Sequence, residues 1–351
     1  MREFDYTKLK NRSWDNEILG LVAQIHECKG RQELYLKQKP NELEKLVEIA
    51  MVQSTEASNE IEGIRTTNTR LKQLFADKTT PKNRDEKEIM GYRDVLNTIH
   101  ENYEYIPIRT NYILQLHRDL YKYSEKSIGG TFKNTQNYIS ATDAAGNSFV
   151  IFTPVAPFET PSAVDAICDS FNRVVDTKEI DSLILIPTFI HDFLCIHPFN
   201  DGNGRMSRLL TTLLLYRTGY VVGRYISLES KIAKNKGLYY DALEECQKGW
   251  NEGSEDPSPF IKYLLRTILA AYRDFEDRVQ IVSEKLSSTE MVRRAVGYKI
   301  GKFTKSEIME LCPTIGKASV ENALKKLISE GVIVRHGGGR STFYTDRKSV
   351  V

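Results

Sequence analysis

His197-Pro198-Phe199-Asn200-Asp201-Gly202-Asn203-Gly204-Arg205-Met206-Ser207-Arg208 is the most informative run in this 351-residue chain. It follows an apolar segment, residues 183–195, that predicts a buried helix, and Pro198 stops that helix just past its histidine. A loop of Asp, Asn and two glycines comes next, and a second helix is predicted over 204–218. A glycine-rich loop that opens a helix presents unpaired N–H groups and the positive end of the helix dipole, which suits phosphate. Arg205 and Arg208 stand three apart, share a helix face and can grip anionic oxygens together. Asp201 offers the hard oxygen that Mg²⁺ needs beside nucleotide phosphates. His197 is a base suited to neutral pH.

Each residue also has an ordinary reading. A histidine before a proline is commonly a helix-end residue with a structural partner, and only its neighbours argue otherwise for His197. His191, inside the apolar segment, reads as a core histidine. His197 and Asp201 could suggest a transition-metal site, but no third nitrogen or sulfur ligand has suitable spacing. Asp201-Gly202-Asn203-Gly204 resembles the start of a calcium loop, yet Thr212 stands where the closing Glu belongs. No GxxxxGK(S/T) run is present, so a P-loop is excluded.

Helical periodicity continues on both sides. Leu43, Leu46, Val47, Ala50, Ala57 and Ile61 recur at three- and four-residue steps, predicting a helix over 41–63 that Gly63 ends. Further helices are expected over 85–101, 109–122, 161–175, 236–250 and 259–287. Residues 132–152 break the pattern: rich in Tyr, Ile, Phe and Val around Asp143-Ala144-Ala145-Gly146-Asn147, they predict a β-hairpin. Near the end, Thr304-Lys305-Ser306-Glu307 is a capping box, a helix over 317–329 follows, and short strands are expected at 332–336 and 341–345. Helix, turn, helix and β-wing in that order resembles a winged helix-turn-helix domain. Three parts are thus expected: an N-terminal helical region (1–84), a helical core with the hairpin (85–283), and the winged module (290–351).

The 197–208 run matches the signature of the Fic family, HPFx(D/E)GNGRxxR, at every specified position, and the resemblance spans about 41–270. It implies a mainly α fold with a hairpin flap, and transfer of AMP from ATP to a Ser, Thr or Tyr hydroxyl of a target protein. His197 would be the base and Asp201 the Mg²⁺ ligand. Gly202, Asn203 and Gly204 would line the anion hole, and Arg205 and Arg208 would hold the phosphates. Tyr239, Tyr240, Leu243 and Gln247 fall where relatives build the adenosine side, although relatives often carry Asn in place of Gln247. The hairpin would dock the target segment as an added strand. Upstream, Ser58, Glu62 and Gly63 fit the family's inhibitory pattern (S/T)xxxE(G/N), which implies that Glu62 pairs with Arg208 and obstructs the γ-phosphate of ATP. A surface glutamate on a helix is the plain alternative for Glu62, and a half-buried aromatic pair is the plain alternative for Tyr239-Tyr240.

Composition limits the remaining options. Net charge is only +2 from 49 basic and 47 acidic residues, so attraction to nucleic acid must be local. It concentrates in residues 299–351, with 10 Lys and Arg against 5 Asp and Glu. A nucleotide-sensing DNA-binding regulator is therefore the rival reading, and removal of AMP at the same site is another. The five cysteines are scattered without C-x-x-C spacing, which predicts buried thiols in place of disulfides or a zinc ribbon. The polar start, MREFDYTKLKNRSWD, and charges within the most apolar stretch predict a cytoplasmic chain with no membrane span.

Overall fold

The computed structural model describes residues 2–38, 40–125, 128–142, 146–282, 286–299 and 301–346. The N-terminal part holds α1 (Asn16–Gln38), α2 (Pro40–Ile61) and α3 (Asn68–Phe75). The middle contains α4 (Arg84–Asn102), α5 (Thr110–Leu120), the hairpin β1 (Ile139–Thr142) and β2 (Ser148–Phe152), α6 (Thr160–Val175), α7 (Ser182–Ile196) and α8 (Asn203–Arg217). After α9 (Leu228–Lys234), α10 (Lys236–Gln247) and α11 (Ser258–Val282) come α12 (Ser288–Gly297), β3 (Lys302–Phe303), α13 (Lys305–Leu311), α14 (Lys317–Ser329), β4 (Ile333–His336) and β5 (Phe343–Asp346).

α7 is the axis of the fold. Its side chains are apolar on nearly every face, so it can be stable only when surrounded, and every residue from Leu183 to Ile196 is buried. α6, α8, α10 and α11 pack around it. The N-terminal helices join this same core: α1 lies along α11, and Ile18, Ile25, Leu43 and Leu46 are buried with Phe193 and Leu210. In α2 the expected face goes inward, with Leu46, Ala50 and Ile61 buried and Val47 partly so, against α4 and α9.

A second core lies in the last sixty residues, built from Val292, Ala295, Phe303, Ile308, Val320, Leu324, Leu327 and Ile333. The capping box forms as expected between Thr304 and Glu307. β3, β5 and β4 make an antiparallel sheet in that order, with Phe303 opposite Tyr344 and Val334 opposite Thr345. α11 touches α12 and α13, and Lys234 pairs with Glu310 at 2.7 Å across the junction.

Several boundaries differ from the sequence-based expectation. α2 ends at Ile61, so Glu62 and Gly63 (φ +80°) form a turn beyond it, and Lys236 Nζ caps the freed Ile61 carbonyl at 2.6 Å. Residues 132–138 are no strand. They run along the 197–200 loop because Lys133 N–H donates to Pro198 O at 2.8 Å and the Asn137 amide to Phe199 O at 3.0 Å. The expected turn residues Asp143–Ala145 and the boundary residues 283–285 lie outside the described residues. All five cysteines are buried free thiols, and among the described residues no helix is long and apolar enough to cross a membrane.

Candidate active site

The 197–208 loop is held by its own side chains. His197 ends α7 in the left-handed conformation (φ 51°, ψ 62°), a helix exit compatible with the proline that follows. Asn203 closes the loop: its amide donates to Phe199 O at 2.8 Å, and its oxygen accepts from Phe199 N–H at 2.9 Å. The Asn203 side chain is thus spent on shaping the loop, and what it can offer an anion is its backbone N–H. Gly202 caps α8 at φ +84°, and a Cβ there would lie 2.9 Å from the Tyr121 hydroxyl. With no side-chain cap, the first N–H groups of α8 remain open to an anion.

Residues that sequence reasoning missed support the loop from outside. Gly130 N–H donates to His117 Nδ1 at 3.0 Å, so His117 carries its hydrogen on Nε2 and gives it to Asp201 O, also at 3.0 Å. Its ring stacks on Phe199 at 3.6 Å, and burial pulls its pKa down to about 4, fixing the neutral form. Lys133 Nζ donates to Ile196 O at 2.9 Å, placing a cation at the negative end of the α7 dipole; burial lowers it to about 8. The contacts of His117 and Lys133 with the 196–201 segment have no local signature, because each joins residues more than sixty apart.

His197 Nδ1 sits 3.3 Å from the Leu194 carbonyl, which can only accept, so the hydrogen is on Nδ1 and Nε2 is left as the basic nitrogen. Burial, with a smaller push from Lys133, lowers its pKa to about 4, opposed by the Leu194 carbonyl and Glu62. At neutral pH the ring is uncharged and able to take a proton.

The two arginines diverge. Arg205 points into the protein, where Nη2 donates to the Tyr121 hydroxyl at 2.7 Å and Nη1 lies 2.8 Å from Glu88 Oε2. That last contact brings the charges together without aligning an N–H on the oxygen. Arg84 holds the other Glu88 oxygen at 2.6 Å. Arg208 is gripped by the α2 end: Nε donates to Ser58 Oγ at 2.8 Å, Nη2 to Ser58 O at 2.9 Å and to Glu62 Oε1 at 2.8 Å. Gly204 makes this approach possible, since a Cβ there would collide with Glu62 Oε1. Asp201 is 41% exposed, its Oδ1 accepting from Gly202 N–H at 2.7 Å and its Oδ2 only loosely paired with Arg84 at 3.6 Å.

A cavity of about 430 Å³ joins part of this set. Glu62, His197, Gly204 and Arg208 line one side; Tyr239, Tyr240, Leu243 and Gln247 line another, and Ile139–Ala141 with Ile151 of the hairpin face it. Asp201, Gly202, Asn203 and Arg205 do not line the cavity; they hold the loop at its edge. Ser58 lies beneath Arg208, and Gly63 turns the chain away. His191 stays in the core near Cys195, as expected.

Residues 107–215 match the family model described as Fic/DOC family. The chain is 24% identical over 206 residues to protein adenylyltransferase fic-1 of Caenorhabditis elegans, covering 58% of this chain and 36% of that protein. It is 27% identical over 187 residues to protein adenylyltransferase Fic of Drosophila erecta, with 51% and 32% covered. It therefore spans about a third of the length of these curated relatives. A solved structure of a Fic family protein from Desulfovibrio desulfuricans aligns over 95% of this chain and 97% of its own, with TM-score 0.59 and 20% identity. A Fic domain containing signaling protein from Bacteroides thetaiotaomicron aligns over 76% and 100%, with TM-score 0.61 and 24% identity. The mainly helical architecture is thus a Fic fold, within which residues 107–215 match the Fic/DOC family model.

Proposed function

We propose that this chain is a protein adenylyltransferase that moves AMP from ATP to a Ser, Thr or Tyr hydroxyl of a target protein and is held back by Glu62. The observation that carries this is the single cavity joining His197, Gly204, Arg208 and Glu62 to the Tyr239–Gln247 face. Nε2 of His197 takes the proton of the target hydroxyl as its oxygen attacks the α-phosphorus. The bond to the bridging oxygen breaks, and pyrophosphate leaves. Such a reaction depends on positioning and on stabilising negative charge, which the open N–H groups of residues 203–205 supply; that of Gly202 is already taken by Asp201 Oδ1. Tyr239, Tyr240, Leu243 and Gln247 form the adenosine side. The two-stranded hairpin offers an edge on which a target segment can add as a strand.

Asp201 fits a Mg²⁺ ligand: it is a half-exposed carboxylate with a loosely held oxygen, and Mg²⁺ beside nucleotides takes one or two carboxylates plus the phosphates. When bound, the cation would offset phosphate charge. Arg205 braces the loop and Arg208 is the γ-phosphate ligand, which Glu62 withholds. The test is labelling with α-labelled ATP and Mg²⁺ of the parent, Glu62→Gly, and Glu62→Gly with His197→Ala. Losing the base should cut labelling about a hundred- to ten-thousandfold with ATP binding intact. Substantial labelling without His197 would overturn the assignment.

A second reading concerns residues 290–351. α13, a turn, α14 and the β4–β5 hairpin follow in the order of a winged helix-turn-helix, and α14 exposes Lys317, Lys325 and Lys326. DNA binding through α14 should weaken steeply with salt as counterions are released. A gel shift with the full chain and mixed DNA fragments tests this; no shift even at low salt favours a protein partner.

A further inference from the structure

A larger cavity, about 580 Å³, lies where α2, α9, α11 and α13 meet. It uses a different face of α2 from the one that grips Arg208: Ala57, Glu60 and Ile61 line it, while Ser58 and Glu62 engage the arginine. Its cations are nearly all satisfied. Lys231 pairs with Asp274 at 2.8 Å, Lys234 with Glu310 at 2.7 Å and Arg65 with Glu60 at 3.1 Å, and Lys236 donates to Ile61 O.

Arg278 is the exception. Its side chain is buried, the residue 5% exposed, and it lines the cavity from α11. Nε and Nη1 are shut off from solvent, and among the described residues nothing accepts from them. The carboxylates of Asp274 and Glu310 lie close enough to favour the Arg278 charge, but each gives one oxygen to a lysine and neither hydrogen-bonds to the guanidinium. A buried guanidinium with unfilled donors is costly, and a small shift of the side chain into the cavity would present its donors to the oxygens of a carboxylate or phosphate. We infer that this cavity binds a small molecule through an oxyanion group, carboxylate or phosphate, received by Arg278.

Such a ligand would touch α2 just ahead of Glu62 and α13 in the C-terminal core at once, clamping one to the other. That coupling rests on the reading of Glu62 above, whereas the binding does not. The full chain is titrated with inorganic phosphate and, separately, with succinate, by calorimetry and by thermal melting in chloride buffer. The two arms distinguish a phosphate from a carboxylate ligand. Because phosphate can also enter the 202–205 turn, the parent is compared with Arg278→Met and with Ala233→Trp, which fills the cavity from α9. At least one anion should give a saturable event that both variants weaken roughly ten- to a hundredfold. Arg278→Met should melt in chloride at or above the parent temperature, having lost a buried charge with unfilled donors. Glu62→Gly should leave the event intact, which separates this site from the inhibitory reading. Equal binding by the parent and Arg278→Met, or no saturable event with either anion, would overturn the inference.

Discussion

Arg205 and Arg208 open the same helix three residues apart and are both almost fully buried, yet different parts of the chain hold them. Arg205 is paired with Glu88 of α4 and Tyr121 beside α5, within the helices that carry the loop. Arg208 is held by Ser58 and Glu62, from the end of α2 and the turn beyond it, about 150 residues upstream. One arginine is a fixed part of the frame. The other is bound by groups whose removal leaves the frame standing, as a regulated ligand requires.

The largest effect expected from this contrast is on stability. Glu88→Ala leaves buried Arg205 without its counter-charge and should cost about 3–5 kcal/mol, read as a large drop in melting temperature. Glu62→Gly should cost about 1 kcal/mol or less, because the Glu62 side chain is 32% exposed and Arg208 keeps its Ser58 contacts. If the two variants melt alike, both arginines are structural and the contrast is lost.

Next in size is activity. A charge-assisted hydrogen bond contributes about 1.5–3 kcal/mol, so freeing Arg208 should raise labelling roughly ten- to a hundredfold in Glu62→Gly. Adding Arg208→Ala should return it towards the parent level. A gain that survives without Arg208 would mean that Glu62 blocks the site sterically and by nothing else.

A third test is set by pH, which leaves both guanidiniums charged. Burial lowers His100 to about 3 and His117, His191 and His197 to about 4, from an ordinary 6.5. As pH falls below 6.5 the unfolded chain takes up these protons first, so their stabilising contribution is full above 6.5 and is lost towards 4. Asp192 opposes this, since burial raises it to about 6 and its contribution is lost as pH rises through that value. Four groups outweigh one, so the melting temperature should fall between pH 7 and 4.5. A flat profile would show that these histidines are not held neutral by the fold.

Much of this was legible in sequence because it is local. The loop and the arginine spacing lie within one run, and α4 to α8, α10 and α14 announce themselves by periodicity. α1 escaped notice: Gly20 and Gly30 interrupt a largely polar stretch, and it owes its place to packing on α11. α3, α9 and β3 are too short to show a period, whereas α12, which also escaped notice, carries one in Met291, Val292, Ala295 and Val296. Glu88, His117, Tyr121 and Lys133 read as ordinary helix or loop residues until the fold brings the first and third to the Arg205 side chain and the others to the 196–201 backbone. Even Asn203, correctly placed in the loop, proves to spend its side chain on Phe199.

On the function proposed above, the bare Cα of Gly204 ties the brake and the cradle into one inheritance. It lets a peptide N–H stand open at the head of α8, and it leaves the space that the Glu62 carboxylate enters. A lineage that acquired any side chain at 204 would lose its restraint in the same step that crowded its phosphate seat. Loss of regulation by that route is self-limiting, whereas loss through position 62 leaves the catalytic loop untouched. Unrestrained descendants of such a protein are therefore expected to differ in the turn after α2 and to keep glycine at 204.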